Sequence, residues 1–229
     1  MGHTQHGEQF LLKPGGAIGV AEFIGAKVAD VCGIPTCQPT VVTIEHMLYG
    51  LQHVFGSRIE SGRVAFDQAD VQAWRDQMAI CTNPQAFSAM LAVDLVLGND
   101  DRHWENWLLQ ATKTDTGQDR VRLRGLDFSR SWPLDHPPQH PGQHRSANTW
   151  RCTRDWALLG IEFDRATFDR TCVKIALLNE RWLHDQVLRP ITGVFLTQQQ
   201  ADAYCHWWGT GLRGQVIEAI HSMDTGAPA

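Results

Sequence analysis

Apolar positions along the chain fall into two spacings, and the switch between them predicts the elements. Gln9 to Lys13 is a short, mostly apolar run that reads as a strand ending in a lysine. From about Ile18 to Val31 the spacing turns helical: Val20, Phe23, Ile24, Val28 and Val31 gather mostly on one side, and Gly33 supplies a stop. Pro39 to Ile44 is β-branched and predicts a strand, as does Leu51 to Ile59. Gly62 and the stretch Asp67 to Asp70 mark the passage into a helical region. Asn83-Pro84 predicts a helix start, with a cap residue followed by proline at the first helical position. Phe87, Met90, Leu91 and Leu95 share one face of that helix, and Gly98 can end it. Trp107 to Leu109 and Val121 to Leu126 then predict two short strands, with Thr114 to Gly117 as the turn between them.

Beyond this hairpin the character changes. Trp132 to Ser146 is packed with Pro, His and Gln and has no apolar period, which predicts a long loop. His136, His140 and His144 recur every fourth residue, but Pro137, Pro138 and Pro141 forbid the helix that would make them a metal ladder, so they read as solvated. Asp164 to His184 returns to helical spacing through Phe168, Cys172, Ile175, Ala176 and Leu183. Thr197 and Gln200 form a capping-box pattern ahead of another helix, and Gly209 and Gly211 break or bend the chain before Val216 to Ile220. Trp150, Trp156, Trp182, Trp207 and Trp208 read as core anchors, since no basic residues interleave with them.

Composition narrows the class. With 229 residues and a formal net charge of -5, the chain fits one domain or two closely joined lobes, and its lysines and arginines are not clustered. Direct binding to nucleic acid is therefore not expected. No apolar run approaches the roughly 18 residues of a membrane span and no signal-peptide pattern opens the chain, so the expectation is a cytoplasmic protein without a membrane partner. Met1 to Glu8 is polar and rich in His and Gly. The six cysteines show no repeated CxxC spacing, which favours reduced, mostly buried thiols. Cys32 and Cys37 lie close enough in sequence to reach one another, a weak half-site at most.

Candidate chemistry concentrates in Gly98-Asn99-Asp100-Asp101-Arg102-His103-Trp104-Glu105-Asn106. Four residues separate Asp101 from Asn106, the interval at which phosphoryl-transfer enzymes carry a catalytic aspartate and a magnesium-binding asparagine. A second carboxylate follows at Asp127. Magnesium prefers oxygen ligands and keeps several waters, so Asn106, Asp127 and nucleotide phosphates would suffice to hold it. Asp101 would stay off the metal and accept the proton of an attacking hydroxyl. The alternative for the loop is an Asx-rich turn between a helix and a strand. Lys13 suits contact with nucleotide phosphates, steadied by Glu22 in the following helix; a solvated lysine and a surface glutamate are the alternatives.

The loop from Gly98 to Asn106 and the segment Leu126-Asp127-Phe128-Ser129-Arg130-Ser131-Trp132 resemble the catalytic and metal-binding segments of the HipA-like serine/threonine kinases, in which the histidine, here His103, follows the aspartate. The resemblance implies an α+β, bilobal protein-kinase-like fold: a small β-rich lobe over residues 1–62, short at its amino end, and a mainly helical lobe over 63–229. It implies ATP- and Mg2+-dependent transfer to a Ser/Thr hydroxyl of a protein substrate. Asp101 would be the catalytic base, with Lys13, Glu22 and His103 in the catalytic set. Asn106 and Asp127 would hold magnesium, and backbone near Ser57 and Ile59 would face the adenine. Residues 132–146 would form the activation segment, with Ser146, Thr149 and Thr153 as modification candidates, and an antitoxin-type protein would be the partner. One departure stands out: the family's glycine-rich cover for the phosphates precedes the lysine, and here only Gly2 and Gly7 precede Lys13. A pseudokinase or nucleotide-binding interaction module is therefore the alternative, as is a lipid or small-molecule kinase, although no basic membrane-facing stripe supports the lipid version.

Overall fold

Four antiparallel strands open the computed structural model, which describes residues 2–3, 8–59, 61–131, 149 and 153–222. They are β1 (Gly2–His3), β2 (Gln9–Lys13), β3 (Gln38–His46) and β4 (Gly50–Ile59), in the order β1-β2-β4-β3. The central strand β4 sets Phe55 opposite Lys13 on one side and Val41 on the other. Helix α1 (Gly16–Cys32) packs against this sheet, with Phe23 edge-on to Phe55 at 5.6 Å between ring centroids. It starts two residues earlier than its apolar spacing predicts. It stops where expected, at Gly33, whose φ of 86° is left-handed and whose amide donates to the Asp30 carbonyl. Val31, expected on the inner face, is exposed, because the buried line of the last turn runs through Val28, Ala29 and Cys32.

Next come α2 (Val71–Ala79), capped by the Asp70 carboxylate, and α3 (Ala86–Leu97). The pattern predicts one apolar face for α3, but all 12 of its residues are buried, so it is a central helix enclosed by its neighbours. Asn83 does not cap it. Its amide instead straps the second hairpin strand, accepting from Leu123 N at 2.8 Å and donating to Leu123 O at 3.1 Å. Gly98, with φ of 68°, ends α3 as predicted. A 3₁₀ turn (Trp104–Asn106) leads into the hairpin β5 (Trp107–Lys113) and β6 (Asp119–Gly125), turning at Thr114 and Gly117. Both strands are longer than predicted at the turn, and Leu126 lies outside β6.

The carboxyl-terminal part is helical. The expected continuous stretch from Asp164 to His184 is broken: α4 (Arg165–Leu177) ends before Asn179, whose side chain caps α5 (Glu180–Leu183), and a π turn (His184–Leu188) follows. Ala176 is exposed, since the buried face of α4 is formed by Phe168, Thr171, Cys172 and Ile175. The capping box at Thr197 and Gln200 is present and opens α6 (Gln198–Gly209), and α7 (Gly211–Ser222) follows the break at Thr210. Trp156, Trp207 and Trp208 are buried and Trp182 half-buried, as core anchors should be; Trp150, the histidines of the proline-rich loop and Ser146 lie outside the described residues. Cys32, Cys37, Cys81, Cys172 and Cys205 are free thiols, three of them buried.

Two connections carry the sheet onto the hairpin. After α1, Gly125 N donates to Pro35 O and Thr36 bridges to Gly125. After β4, Val64 N donates to Leu109 O. No described helix is long and apolar enough to cross a membrane.

Candidate active site

Lys13 stands at the end of β2, where the next residues turn the chain into α1. Its ammonium lies 2.6 Å from Glu22 Oε1 and 2.6 Å from Asp127 Oδ1. Three elements far apart in sequence thus converge on one cation. Glu22 is only 2% exposed, in the middle of the buried face of α1. Burial pushes its carboxyl above the usual range, and the Lys13 charge restrains the rise. Its second oxygen accepts from Phe128 N at 3.1 Å, so Glu22 grips the backbone directly after Asp127 while it holds Lys13.

Asp127 has a φ of 61°, the one positive value outside glycine among the described residues. Such a backbone is uncommon outside glycine, and Asp and Asn tolerate it best. Its carboxylate accepts from Ser129 Oγ at 2.6 Å and Ser129 N at 3.3 Å. Burial acts to raise its pKa, but the bonds from Lys13 and Ser129 prevail and bring it down to about 2. Asp127 is therefore ionised across the physiological range.

The loop after α3 reaches this cluster through its backbone. Leu126 N donates to Asn106 O at 3.1 Å, and Asn106 Nδ2 donates to Asp101 O at 2.8 Å. With its nitrogen committed, the Asn106 amide offers its oxygen. Asp101 is half-exposed and near enough to Arg130 to raise that guanidinium's pKa, after Asp100, which grips Arg130 with both oxygens. His103 contributes its carbonyl to Asn106 N and lines a small apolar cavity with Trp104, Trp107 and Trp156. Ser57 is buried on β4 between Leu11 and Pro39, and Ile59 faces Gln9 at the strand's end; neither bonds to Lys13, Glu22 or Asp127.

Sequence reasoning overlooked the strut behind the loop. Arg102 is buried and donates to both oxygens of Asp94, from Nε at 2.7 Å and from a terminal nitrogen at 2.8 Å. It also donates to the carbonyls of Asn106 and Leu126, and its guanidinium lies over the Phe128 ring at 4.9 Å. One side chain thus fixes the backbone of both motifs. Burial opposes its charge, but Asp94 overrides this and leaves the guanidinium pKa raised. Asn99 Nδ2 adds a second donor to Asp94 at 2.8 Å. Thr149 Oγ1 donates to Asn99 O and accepts from Arg102 N, so this residue braces the loop. Thr149 and Thr153, two of the modification candidates, are both buried. A signal for the strut was present: Asp94 is the one charged residue in the apolar helix α3.

No family model and no curated protein sequence matches the chain. Solved structures similar to it include a HipA and a CtkA. One is HipA of Shewanella oneidensis MR-1, from a toxin-antitoxin complex of HipA, HipB and operator DNA: TM-score 0.44 and 13% identity, covering 90% of this chain and 58% of that one. The other is the proinflammatory kinase CtkA of Helicobacter pylori: TM-score 0.49 and 10% identity, covering 94% of this chain and 87% of that one. The chain thus spans less than two thirds of the length of the HipA chain.

Proposed function

We propose that the chain transfers phosphate from ATP to a hydroxyl group, with magnesium as the cation. The observation that carries this reading is the position of Lys13, 2.6 Å from carboxylates on two other elements, Glu22 and Asp127. A lysine held in place by a helix glutamate beside a metal-binding aspartate is the arrangement that phosphoryl transfer uses to orient a nucleotide. Lys13 binds the phosphates and Glu22 positions it. The division into a small lobe over 1–62 and a helical lobe over 63–229 belongs to the same reading.

The donor set suits magnesium. Asp127 is anionic, with a pKa of about 2, and Asn106 has its amide nitrogen engaged so that its oxygen remains as a donor. When bound, magnesium neutralises charge on the phosphate oxygens. Asp101, on the neighbouring half-exposed loop, orients the attacking hydroxyl and accepts its proton. His103 supports this loop through its backbone, and the adenine lies against the β4 backbone near Ser57 and Ile59. A protein Ser/Thr hydroxyl is the acceptor and an antitoxin-type protein the partner, as the motif resemblance implies.

A nucleotide-binding module without transfer is the second reading. It is favoured by the direct pairing of Lys13 with Asp127, which sets the metal carboxylate against the phosphate-binding lysine. Incubation with labelled ATP and magnesium, followed by intact mass, separates the two. Added phosphate supports transfer; nucleotide binding with no added phosphate, on the chain or on a generic protein acceptor, supports the module.

A further inference from the structure

A polar cavity of about 330 Å³ lies where α1, the start of β3 and β6 meet, lined by Lys27, Asp30, Thr36, Gln38, Arg122 and Arg124 among others. Its floor is fixed by the connection after α1. Gly125 N donates to Pro35 O at 2.8 Å, and an Arg124 terminal nitrogen donates to Thr36 O at 2.9 Å while Arg124 Nε donates to Gln110 Oε1 at 2.8 Å. The Arg124 guanidinium is thereby held in one plane at the cavity wall. Arg122 stands two residues earlier on β6, so both side chains share one face of the strand while Val121, Leu123 and Gly125 are buried on the other. Lys27 faces them from α1.

Among the described residues that line the cavity, three are cationic and one, Asp30, is a carboxylate. Surface lysines and arginines are usually dispersed; here they converge from two elements on a concave, partly open space large enough for a small ligand but not for a folded partner. A rigid guanidinium with further cations around it is the arrangement that recognises phosphate oxygens.

We propose that this cavity binds a small ligand carrying a diphosphate group, separately from the Lys13 cluster, and that the ligand bridges Lys27 on α1 to Arg122 and Arg124 on β6. Because α1 carries Glu22 and β6 runs into Asp127, an occupied cavity ties together the two elements that hold Lys13. The binding itself does not depend on phosphoryl transfer at Asp101. Free pyrophosphate and a nucleoside diphosphate share this chemistry. Asp30 provides an acceptor that a sugar hydroxyl satisfies and bare pyrophosphate does not.

The test is an amide NMR titration of the full chain in EDTA, with pyrophosphate in one arm and uridine diphosphate in the other. Signals of Lys27, Thr36, Arg122 and Arg124 are expected to shift saturably. Each of Lys27→Ala and Arg122→Ala should raise the Kd about tenfold, as loss of one charge-assisted contact does. Arg122 is exposed, so its variant keeps the fold, which the unshifted remainder of the spectrum verifies. Tighter binding of uridine diphosphate assigns the site to a nucleotide, and equal or weaker binding assigns it to pyrophosphate. Absence of saturable shifts at these residues in both arms, or an unchanged Kd in both variants, overturns the proposal.

Discussion

Arg102 and Asp94 form a two-pronged ion pair inside the protein, side chains 5% and 0% exposed, at distances of 2.7 and 2.8 Å. The pair joins the end of α3 to the catalytic-loop candidate and, through the Leu126 carbonyl, to the segment that carries Asp127. Removing one partner leaves an uncompensated buried charge. Arg102→Met is therefore expected to destabilise the fold by about 3–5 kcal/mol, read from urea unfolding. Adding Asp94→Leu should recover a large part of that loss. A double variant as unstable as the single one would show that the buried charge was not the cause.

Asp101→Asn should leave the melting temperature unchanged, because Asp101 is half-exposed and outside the Arg102 strut. Phosphate transfer should fall by roughly 10²–10⁴, the usual worth of a general base. Equal turnover by both proteins would remove Asp101 from the mechanism.

Asp127→Asn keeps the side-chain shape and tolerates the left-handed backbone, so the fold should survive while magnesium-nucleotide stabilisation is lost in a thermal-shift assay. The pH dependence has a definite sign. Asp127 has its folded pKa lowered from 3.8 to about 2, so its contribution is fully present above the unfolded value and is lost as pH falls from about 4 towards 2. The stability gap between wild type and variant should be constant near neutrality and narrow in that acidic window. Glu22 runs the other way: its pKa is raised, so its ionisation works against folding as pH climbs above 4.5. Melting curves at stepped pH values check both signs.

Gly25→Ala and Gly125→Ala make the same chemical change with unequal expected costs. A methyl group at Gly25 would overlap the Cβ and ring of Phe128, whose amide is held by Glu22. It should cost about 1–3 kcal/mol through overpacking and displace the Asp127 segment. At Gly125 the overlap is with the flexible end of Met90, which can swing aside. Urea unfolding of the two variants should rank them in that order, with nucleotide binding impaired only by the first.

The elements that a local pattern specifies were legible in the sequence: the strand ending at Lys13, the stop at Gly33, the end of α3 at Gly98 and the capping box at Thr197. So were the residues that meet around Lys13: Glu22 stands out as a carboxylate early in the following helix, and Asp127 as the second carboxylate after the loop. What stayed hidden depends on enclosure. Asn83 looks like a helix cap until the hairpin is folded against it, and then its amide matches Leu123 better than it matches α3. Val31 and Ala176 fit a helical stripe in one dimension, but the packed faces run beside them. Arg102 looked like one more charge in a polar loop, since its partner lies inside a helix whose burial on all sides no single-face pattern conveys.

The left-handed backbone at Asp127 has a bearing on how this protein could change over generations. Few residue types besides glycine, asparagine and aspartate occupy that conformation cheaply. A descendant that lost the carboxylate would thus be steered towards asparagine or glycine at this position, and the geometry of the segment would outlive the charge.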